Sequence, residues 1–495
     1  MRLFWVGRCL GGDWGFKRLC LKVKTPLILL ESAAIGRCHR LLTPYWPIEG
    51  SPTGGHWLAR PTTRADLTSK GELLGRQRQE SQKPSPGVLL RGTELKTDRI
   101  GQGRRLLDSV QDSKALWSMI FARIIYALNW MNVGAIFFLM GPELNAGVSG
   151  LGTISAAFYL GIGTMQVPGG ILVAKWGPKK VSVIGVFLSS LSALGTSAMT
   201  SIPEVAILRF VVGAGMAFVF APGVVIVARL LLGGKSGIGV GLYNSAYDVG
   251  GALALFGWVI VAEATGWRLS LAISGSLGVL SGLLTLLFVP RDQTNLVSSI
   301  GRGPLMTILR DRQLIMVGLG MLGFDMSNSI VSGFMIYYLL SINAATATVA
   351  GLVASLVTIV PIFTSLWAGR VYDSIMKHRL VMAIGIVGSA LSLAFGAYPS
   401  LYAAVACTVL SGVVCGVGYT FGFAGARDLH RAGKEYEGLA IAWVNSIHLT
   451  GSVLPPILFS LVVERLGYSQ GWLWSAVVTL LFIVPVLLMV EHWRR

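Results

Sequence analysis

The 495-residue chain is 53% hydrophobic and only 13% charged, with a mean hydropathy of +0.66. Soluble domains carry about one quarter charged residues, so a water-soluble fold of this length would lack the polar groups to cover its own surface. The net charge of +18 would suit nucleic acid in a soluble protein; here the basic residues punctuate apolar runs, the partner they point to is the lipid bilayer, and no nucleic acid is expected.

Residues 1–110 stand apart as a basic, low-complexity extension rich in Arg, Pro, Gly and Ser, with no sustained apolar period. Its one apolar stretch, Pro26 to Leu30, is shorter than the roughly 7–15 residues of a signal-peptide core. A disordered cytoplasmic tail, a start assigned upstream of the true one and an Arg-rich organellar presequence all fit. No function is placed on this segment.

From Ala115 onward, apolar runs of about 20 residues recur, each long enough to cross a hydrocarbon core about 30 Å thick. The first half, 111–290, has predicted spans at 116–140, 151–173, 181–200, 203–231, 238–262 and 268–289. A polar cytoplasmic linker covers 291–313. The second half, 314–495, has spans at 314–340, 345–368, 380–398, 401–426, 438–463 and 471–491. The expected fold is therefore an all-α membrane protein of twelve transmembrane helices in two pseudo-symmetric six-helix halves.

Loop charge orients these spans. With the amino terminus in the cytoplasm, the inward loops and the carboxyl terminus hold seventeen basic residues, from Lys175 and Lys179 to Arg494 and Arg495, whereas the outward loops hold only Arg268 and Arg465. By the positive-inside rule both termini are cytoplasmic, and the expected location is multi-pass in the plasma (inner) membrane.

Polar marks repeat at nearly one offset. Asn129 and Asn132 match Asp325 and Asn328; Gly170 matches Gly369; Arg229 matches Arg427; Lys235 matches Lys434; Asn244 matches Asn445. Five such pairs in one order indicate a duplicated unit, and two halves about a pseudo-two-fold axis suit alternating access around a central site.

Gly170, Lys175, Gly177, Lys179 and Lys180 follow the second span, and Gly369, Asp373 and Arg379 follow the eighth. The fourth span holds Arg209, Gly213 and Gly215. These residues resemble the loop signature and the intramembrane Arg-xxx-Gly-x-Gly motif of the major facilitator superfamily, over about residues 110–495. In that family an Asp in the first loop helps latch the halves on the cytoplasmic side; Ala174 stands there in this chain, while Asp373 keeps the acid in the second copy. The fifth span, around Asp248 and Gly250, lacks the Gly-Pro of drug/proton antiporters. Arg123 maps to Leu319 rather than to the second Arg of organophosphate exchangers, and neither the second nor the eighth span has the interior Arg of nitrate porters. Gln166, Pro168 and Gly169 look closest to organic-anion or sugar-acid symporters.

An ionisable group inside a membrane helix is a functional candidate by default. Asp248, Asp325 and His448 lie near mid-span, with Arg123 and Arg209 about two turns from a helix start. At about 100° per residue, Asn244, Tyr247, Asp248 and Gly251 share one face; so do Asp325, Asn328, Ser329 and Ser332, and so do Asn445, His448 and Ser452. Tyr126, Asn129 and Asn132 form a fourth polar face. The amides and serines serve equally well as interhelical hydrogen-bond partners. His448 suits proton exchange or satisfaction by Asn445.

Gly233, Gly234, Lys235 and Ser236 do not make a Walker loop, because strand and first-glycine spacing are lacking. The five cysteines have no metal-ligand spacing, so neither metal nor cofactor is expected. The resemblance implies a secondary transporter, not an enzyme, moving a small polar or anionic solute by symport with H+, as a monomer. A drug or metabolite efflux antiporter and a transporter-like membrane sensor remain as alternatives.

Overall fold

The structure, a computed structural model, describes residues 91–231, 236–291, 302–375, 377–429 and 436–490. Residues 1–90, residues 292–301 of the linker, and Lys235, Arg431, Lys434, Arg494 and Arg495 lie outside the described residues. All described regular structure is helical: α1 (Arg91–Glu143), α2 (Val148–Trp176), α3 (Pro178–Thr196), α4 (Ile202–Ala217), α5 (Phe220–Leu230), α6 (Ser236–Thr265), α7 (Trp267–Phe288), α8 (Arg302–Leu309), α9 (Arg312–Ser341), α10 (Ala347–Ser374), α11 (His378–Gly396), α12 (Leu401–Leu429), α13 (Glu437–Gly451), α14 (Leu454–Leu466), α15 (Tyr468–Leu480) and α16 (Ile483–Leu487). Helices satisfy every backbone group internally, which lipid demands.

Among the described residues, eleven spans are long and apolar enough to cross a membrane, counting α4–α5, α13–α14 and α15–α16 as one each and α1 from Asp112. The twelfth is α3, which packs along α4 and α7. Its serines lower its hydropathy, but the Ser189 and Ser190 hydroxyls both donate to the Val186 carbonyl at 3.0 and 2.6 Å, so they cross without bare polar groups.

The two halves pair their helices alike. In the first, α1 packs on α6, α2 on α4 and α3 on α7; in the second, α9 packs on α13, α10 on α12 and α11 on α15. Each pair of the second set is the image of one in the first, so the repeat read from polar marks is a repeat of packing. Between halves, α2 packs on α13 and α14, α6 on α10, and α1 on α9.

Three boundaries differ from expectation. The fourth span is interrupted at Phe218 and Val219, three residues before Pro222. The eleventh is interrupted at Ser452 and Val453, just before Pro455 and Pro456. A proline lacks the N–H an interior helix position must donate. The twelfth is interrupted at Leu481 and Phe482, ahead of Pro485. The expected linker also contains a short helix, α8, and α1 begins within the expected extension.

Turns and caps follow from local chemistry. Gly177 joins α2 to α3 at φ +86°, a backbone region that a side chain would strain. Asp311 begins α9 by accepting from the Gln313 amide at 2.8 Å, as an N-cap carboxylate does. Large apolar side chains face outward on the spans, among them Leu287, Phe363 and Ile207 at 70%, 69% and 65% exposure, as a lipid solvent permits.

The buried cores show how the halves meet. One cluster joins both halves at the end opposite the basic loops, with Phe137, Leu151, Leu255 and Val259 packed among Phe334, Leu339, Ala350 and Phe459. Toward the basic end the cores are separate. Met119, Ile226 and Tyr243 belong to a cluster of the first half alone, and Met321, Tyr372 and Phe421 to a cluster of the second half alone.

Candidate functional site

Asp325 is 2% exposed on α9. Its Oδ1 accepts from the Tyr419 hydroxyl at 2.5 Å and from Asn328 Nδ2 at 3.3 Å. Its Oδ2 accepts from the Ser452 hydroxyl. No cation lies within ion-pair distance of it among the described residues. Three neutral donors from α9, α12 and the break in the eleventh span thus surround a carboxyl at the meeting of three helices. Two are hydroxyls, which donate to a carboxylate or accept from a carboxylic acid. The cluster can therefore be satisfied with or without a proton.

His448 lies on α13 beside this cluster. Its Nε2 is 2.7 Å from Asn445 Oδ1 while its Nδ1 has no partner. Its ring stands 5.9 Å from that of Tyr419 and 6.3 Å from that of Phe423.

Arg123 is held differently. It is 6% exposed, and its guanidinium sits 4.4, 4.7, 5.2 and 4.7 Å from the ring centres of Tyr126, Phe220, Tyr243 and Tyr247. Such contacts stabilise a cation by roughly 0.5–2 kcal/mol each. Its Nε and Nη1 nevertheless have no hydrogen-bond partner. Asp248, next to Tyr247, is within electrostatic reach but forms no ion pair with it. The Phe220 ring lies 6.5 Å from that of Phe423 in the other half, so the arginine cage and the Tyr419 cluster approach one another through this aromatic pair.

Arg209, Asn129 and Asn132 form a network inside the first half. Arg209 Nη1 donates to the Asn129 carbonyl at 2.9 Å and to Asn132 Oδ1 at 3.2 Å, and Nη2 donates to the Trp130 carbonyl at 2.9 Å. Asn129 Oδ1 accepts from the Ser274 hydroxyl at 3.0 Å, and Asn132 Nδ2 donates to Ser274 Oγ at 3.2 Å. These bonds tie α1, α4 and α7 together, and no acid among the described residues pairs with Arg209. Its ring neighbour is Phe158 at 4.6 Å. A cavity of about 30 Å³ lies against Arg209, Trp130, Tyr159, Ser329 and Ser332, room for one or two waters. At this level the halves nearly touch.

The structure thus brings Asp325, Asn328, Asn445 and His448 into one region and Arg123 and Asp248 into another. Asn244 is exposed on α6, away from both clusters. The loop residues sit at the basic end. Lys175 and Asp373 are exposed, and Lys179 Nζ donates to the Val289 carbonyl at 2.5 Å, tying the start of α3 to the end of α7. Arg427 pairs with Asp428 at 2.9 Å, and Asp428 Oδ2 accepts from Tyr372 at 2.7 Å. Arg379 Nη1 donates to the Met489 carbonyl at 3.1 Å. Lys180 is exposed, Arg229 lies in the last turn of α5, and a Cβ at Gly170 or Gly369 would meet nothing within 4 Å. Tyr419, Phe220 and Tyr243 carry no mark in the sequence that separates them from packing aromatics; only Tyr247 and Tyr126 lie on faces that were polar by pattern.

Comparison with known proteins agrees with this architecture. The sequence profile of the Major Facilitator Superfamily matches residues 119–325 and 317–494. A protein of Methanocaldococcus jannaschii described as an MFS-type transporter is 21% identical over 374 residues, covering 73% of this chain and 94% of that one. "Probable sulfoacetate transporter SauU" of Cupriavidus necator is 25% identical over 161 residues, 32% of this chain and 37% of that relative. Among solved structures, the nucleoside transporter NupG superposes with a TM-score of 0.63 at 17% identity, covering 76% of this chain and 99% of that one. A bacterial homologue of the lysosomal transporter Spinster, inward-facing and unoccupied, reaches 0.61 at 14% identity, covering 76% and 95%. Relatives and structural neighbours alike are transporters rather than enzymes. With twelve spans in two equivalent halves and a profile matched across both, the chain is a multi-pass membrane transporter that belongs to the Major Facilitator Superfamily.

Proposed function

We propose that the chain moves a small anionic solute by alternating access, in symport with protons, as a monomer in the plasma membrane with both termini cytoplasmic. The observation that carries this reading is Asp325: a buried carboxyl without a cation, held by two hydroxyls and an amide where α9, α12 and the eleventh span meet. A group satisfied in both protonation states, at a junction of moving elements, lets proton binding alter the free energy of one facing state relative to the other. Asp248 is the second candidate for the same role.

Arg123 supports an anion as cargo. Two of its nitrogens, Nε and Nη1, are buried and unpartnered, and a buried donor without an acceptor costs about 1–3 kcal/mol. A carboxylate or sulfonate would supply the acceptors. The sulfoacetate-transporter name of one relative agrees with that class. The common core at one end and separate cores at the other support a reading in which the halves part on the basic side.

Asp325→Asn keeps volume and hydrogen-bonding capacity while removing titration. In proteoliposomes it is expected to abolish proton-driven accumulation and to leave solute exchange measurable. Accumulation against a gradient in this variant would remove Asp325 from the coupling role.

A further inference from the structure

The eleventh span breaks where the Asp325 carboxyl touches it. Ser452 caps α13, and its hydroxyl is placed to donate to two acceptors: Asp325 Oδ2, and the His448 carbonyl at 2.7 Å. A serine hydroxyl has one hydrogen. With Asp325 ionised, that hydrogen is drawn to the carboxylate, because a charged acceptor makes the stronger bond. With Asp325 protonated, the acid O–H donates to Ser452 Oγ, and the serine hydrogen turns to the His448 carbonyl. The proton comes from solution on one side of the membrane and leaves to the other; no other bond is made or broken.

The stretch around this exchange is packed tightly against α2 of the other half and against α9 of its own. Ser446 on α13 donates to the Gly163 carbonyl of α2 at 2.8 Å. A Cβ on Gly163 would lie 2.4 Å from the Thr450 amide nitrogen, and one on Gly451 would lie 2.4 Å from Leu322 Cδ2. Pro455 and Pro456 start α14 immediately beyond, so the backbone between Gly451 and Leu454 is not locked by helix continuity. The titratable and charged groups facing Asp325 from the surrounding helices are Tyr419 and Cys415 of α12, His448 of α13, Tyr159 of α2 and Tyr247 of α6. Arg209 reaches Tyr159 from the other side. Of these titratable groups, Tyr419 alone hydrogen-bonds Asp325, and His448 meets the break through its backbone carbonyl, which accepts from Ser452.

We propose that Ser452 is the positioning residue that passes the protonation state of Asp325 to the hinge of the eleventh span, tilting α13 against α2. The inference rests on the reading of Asp325 as the proton-loading group.

The test is an inter-half distance in the full chain in nanodiscs, measured by pulsed electron spin resonance. Spin labels go on Lys175→Cys at the end of α2 and Gly438→Cys at the start of α13, where an added Cβ meets nothing within 4 Å, with the native cysteines replaced by alanine. The distance is expected to shift between acidic and mildly alkaline buffer. The shift should be lost in Ser452→Ala and kept in Ser452→Thr, which retains the hydroxyl. A shift that persists in Ser452→Ala but vanishes in Asp325→Asn overturns the role of Ser452 alone. Loss in both Ser452→Ala and Ser452→Thr marks a packing effect and also overturns it. A distance indifferent to pH in the parent, or one that still responds in Asp325→Asn, overturns the Asp325 reading itself and the hinge with it.

Discussion

Asn129 and Asp325 occupy matching places in the two halves, yet they meet different partners. The Asn129 amide is bound on both sides by Ser274, at 3.0 Å through its oxygen and 3.3 Å through its nitrogen, which makes it a brace. Asp325 reaches across to other helices through its carboxyl. Arg209 and Arg123 divide in the same manner, since the first is bonded to three oxygens and the second to rings. Arg209→Ala should lower the melting temperature of the purified protein, because each hydrogen bond to a charged group contributes about 1.5–3 kcal/mol. Arg209→Lys should rescue little, since a compact ammonium cannot span the three acceptors. Arg123→Gln should change recognition instead: the half-saturation concentration for an anionic solute is expected to rise about ten- to a hundredfold, with the melting temperature little altered. Uptake assays alongside thermal unfolding separate the two arginines, and an Arg123→Gln protein with unchanged affinity for its anion would remove Arg123 from the binding site.

Helices in this bundle approach one another through glycine. A Cβ on Gly161 of α2 would lie 2.1 Å from the Phe210 carbonyl oxygen, and one on Gly213 of α4 would lie 2.2 Å from the Phe158 carbonyl oxygen. The two positions are reciprocal, which is the small-residue contact that lets membrane helices pack without a hydrophobic drive between them. Gly161→Val is expected to force α2 and α4 apart and destabilise the first half by about 1–3 kcal/mol, seen as a lower melting temperature and reduced yield of monodisperse protein. Gly170→Ala, with open space at its Cβ, should change neither. The helix breaks matter at the same scale. The interrupted fourth span delivers Phe220 to Arg123, and the interrupted eleventh delivers Ser452 to Asp325, so both irregular backbones lie beside an ionisable group.

For the molecule as a whole, orientation is the property the loops predict and the fold by itself does not display. Lys175, Lys179, Lys180, Arg370, Lys377, Arg379 and Arg427 lie toward one end, and Arg268 with its partner Glu143 at 2.8 Å toward the other. The bias implies that the basic end is cytoplasmic. Single cysteines substituted for Lys179, Arg302 and Lys434 are expected to be shielded from an impermeant thiol reagent in intact cells and labelled after permeabilisation. Labelling from outside at any of the three would reverse the assigned orientation.

The twelve spans, their division into two halves and the repeat between them were legible in the chain alone. Lipid demands long apolar runs, and a duplicated unit leaves polar marks at one offset whatever its packing. Asp325 and His448 were legible for a related reason: a charge in an apolar run is conspicuous and expensive to bury. Partners were not legible. Tyr419 lies 94 residues from Asp325 and Ser452 lies 127 residues from it; nothing local distinguishes Tyr419 from a packing tyrosine, and the polar face that Ser452 shares with His448 does not name Asp325 as its partner. Of the four rings around Arg123, gathered from α1, α5 and α6, Tyr126 and Tyr247 lay on faces polar by pattern, while Phe220 and Tyr243 carried no mark. Helical periodicity assigns a residue to a face, but which face meets which neighbour, and at what height, is decided by glycine contacts and helix breaks that act only once the bundle is assembled. Hence Asn129 and Asp325, alike by position in the repeat, meet different partners that the tertiary structure chose: Ser274 of α7 for the amide, and Tyr419 of α12 with Ser452 of the eleventh span for the carboxyl.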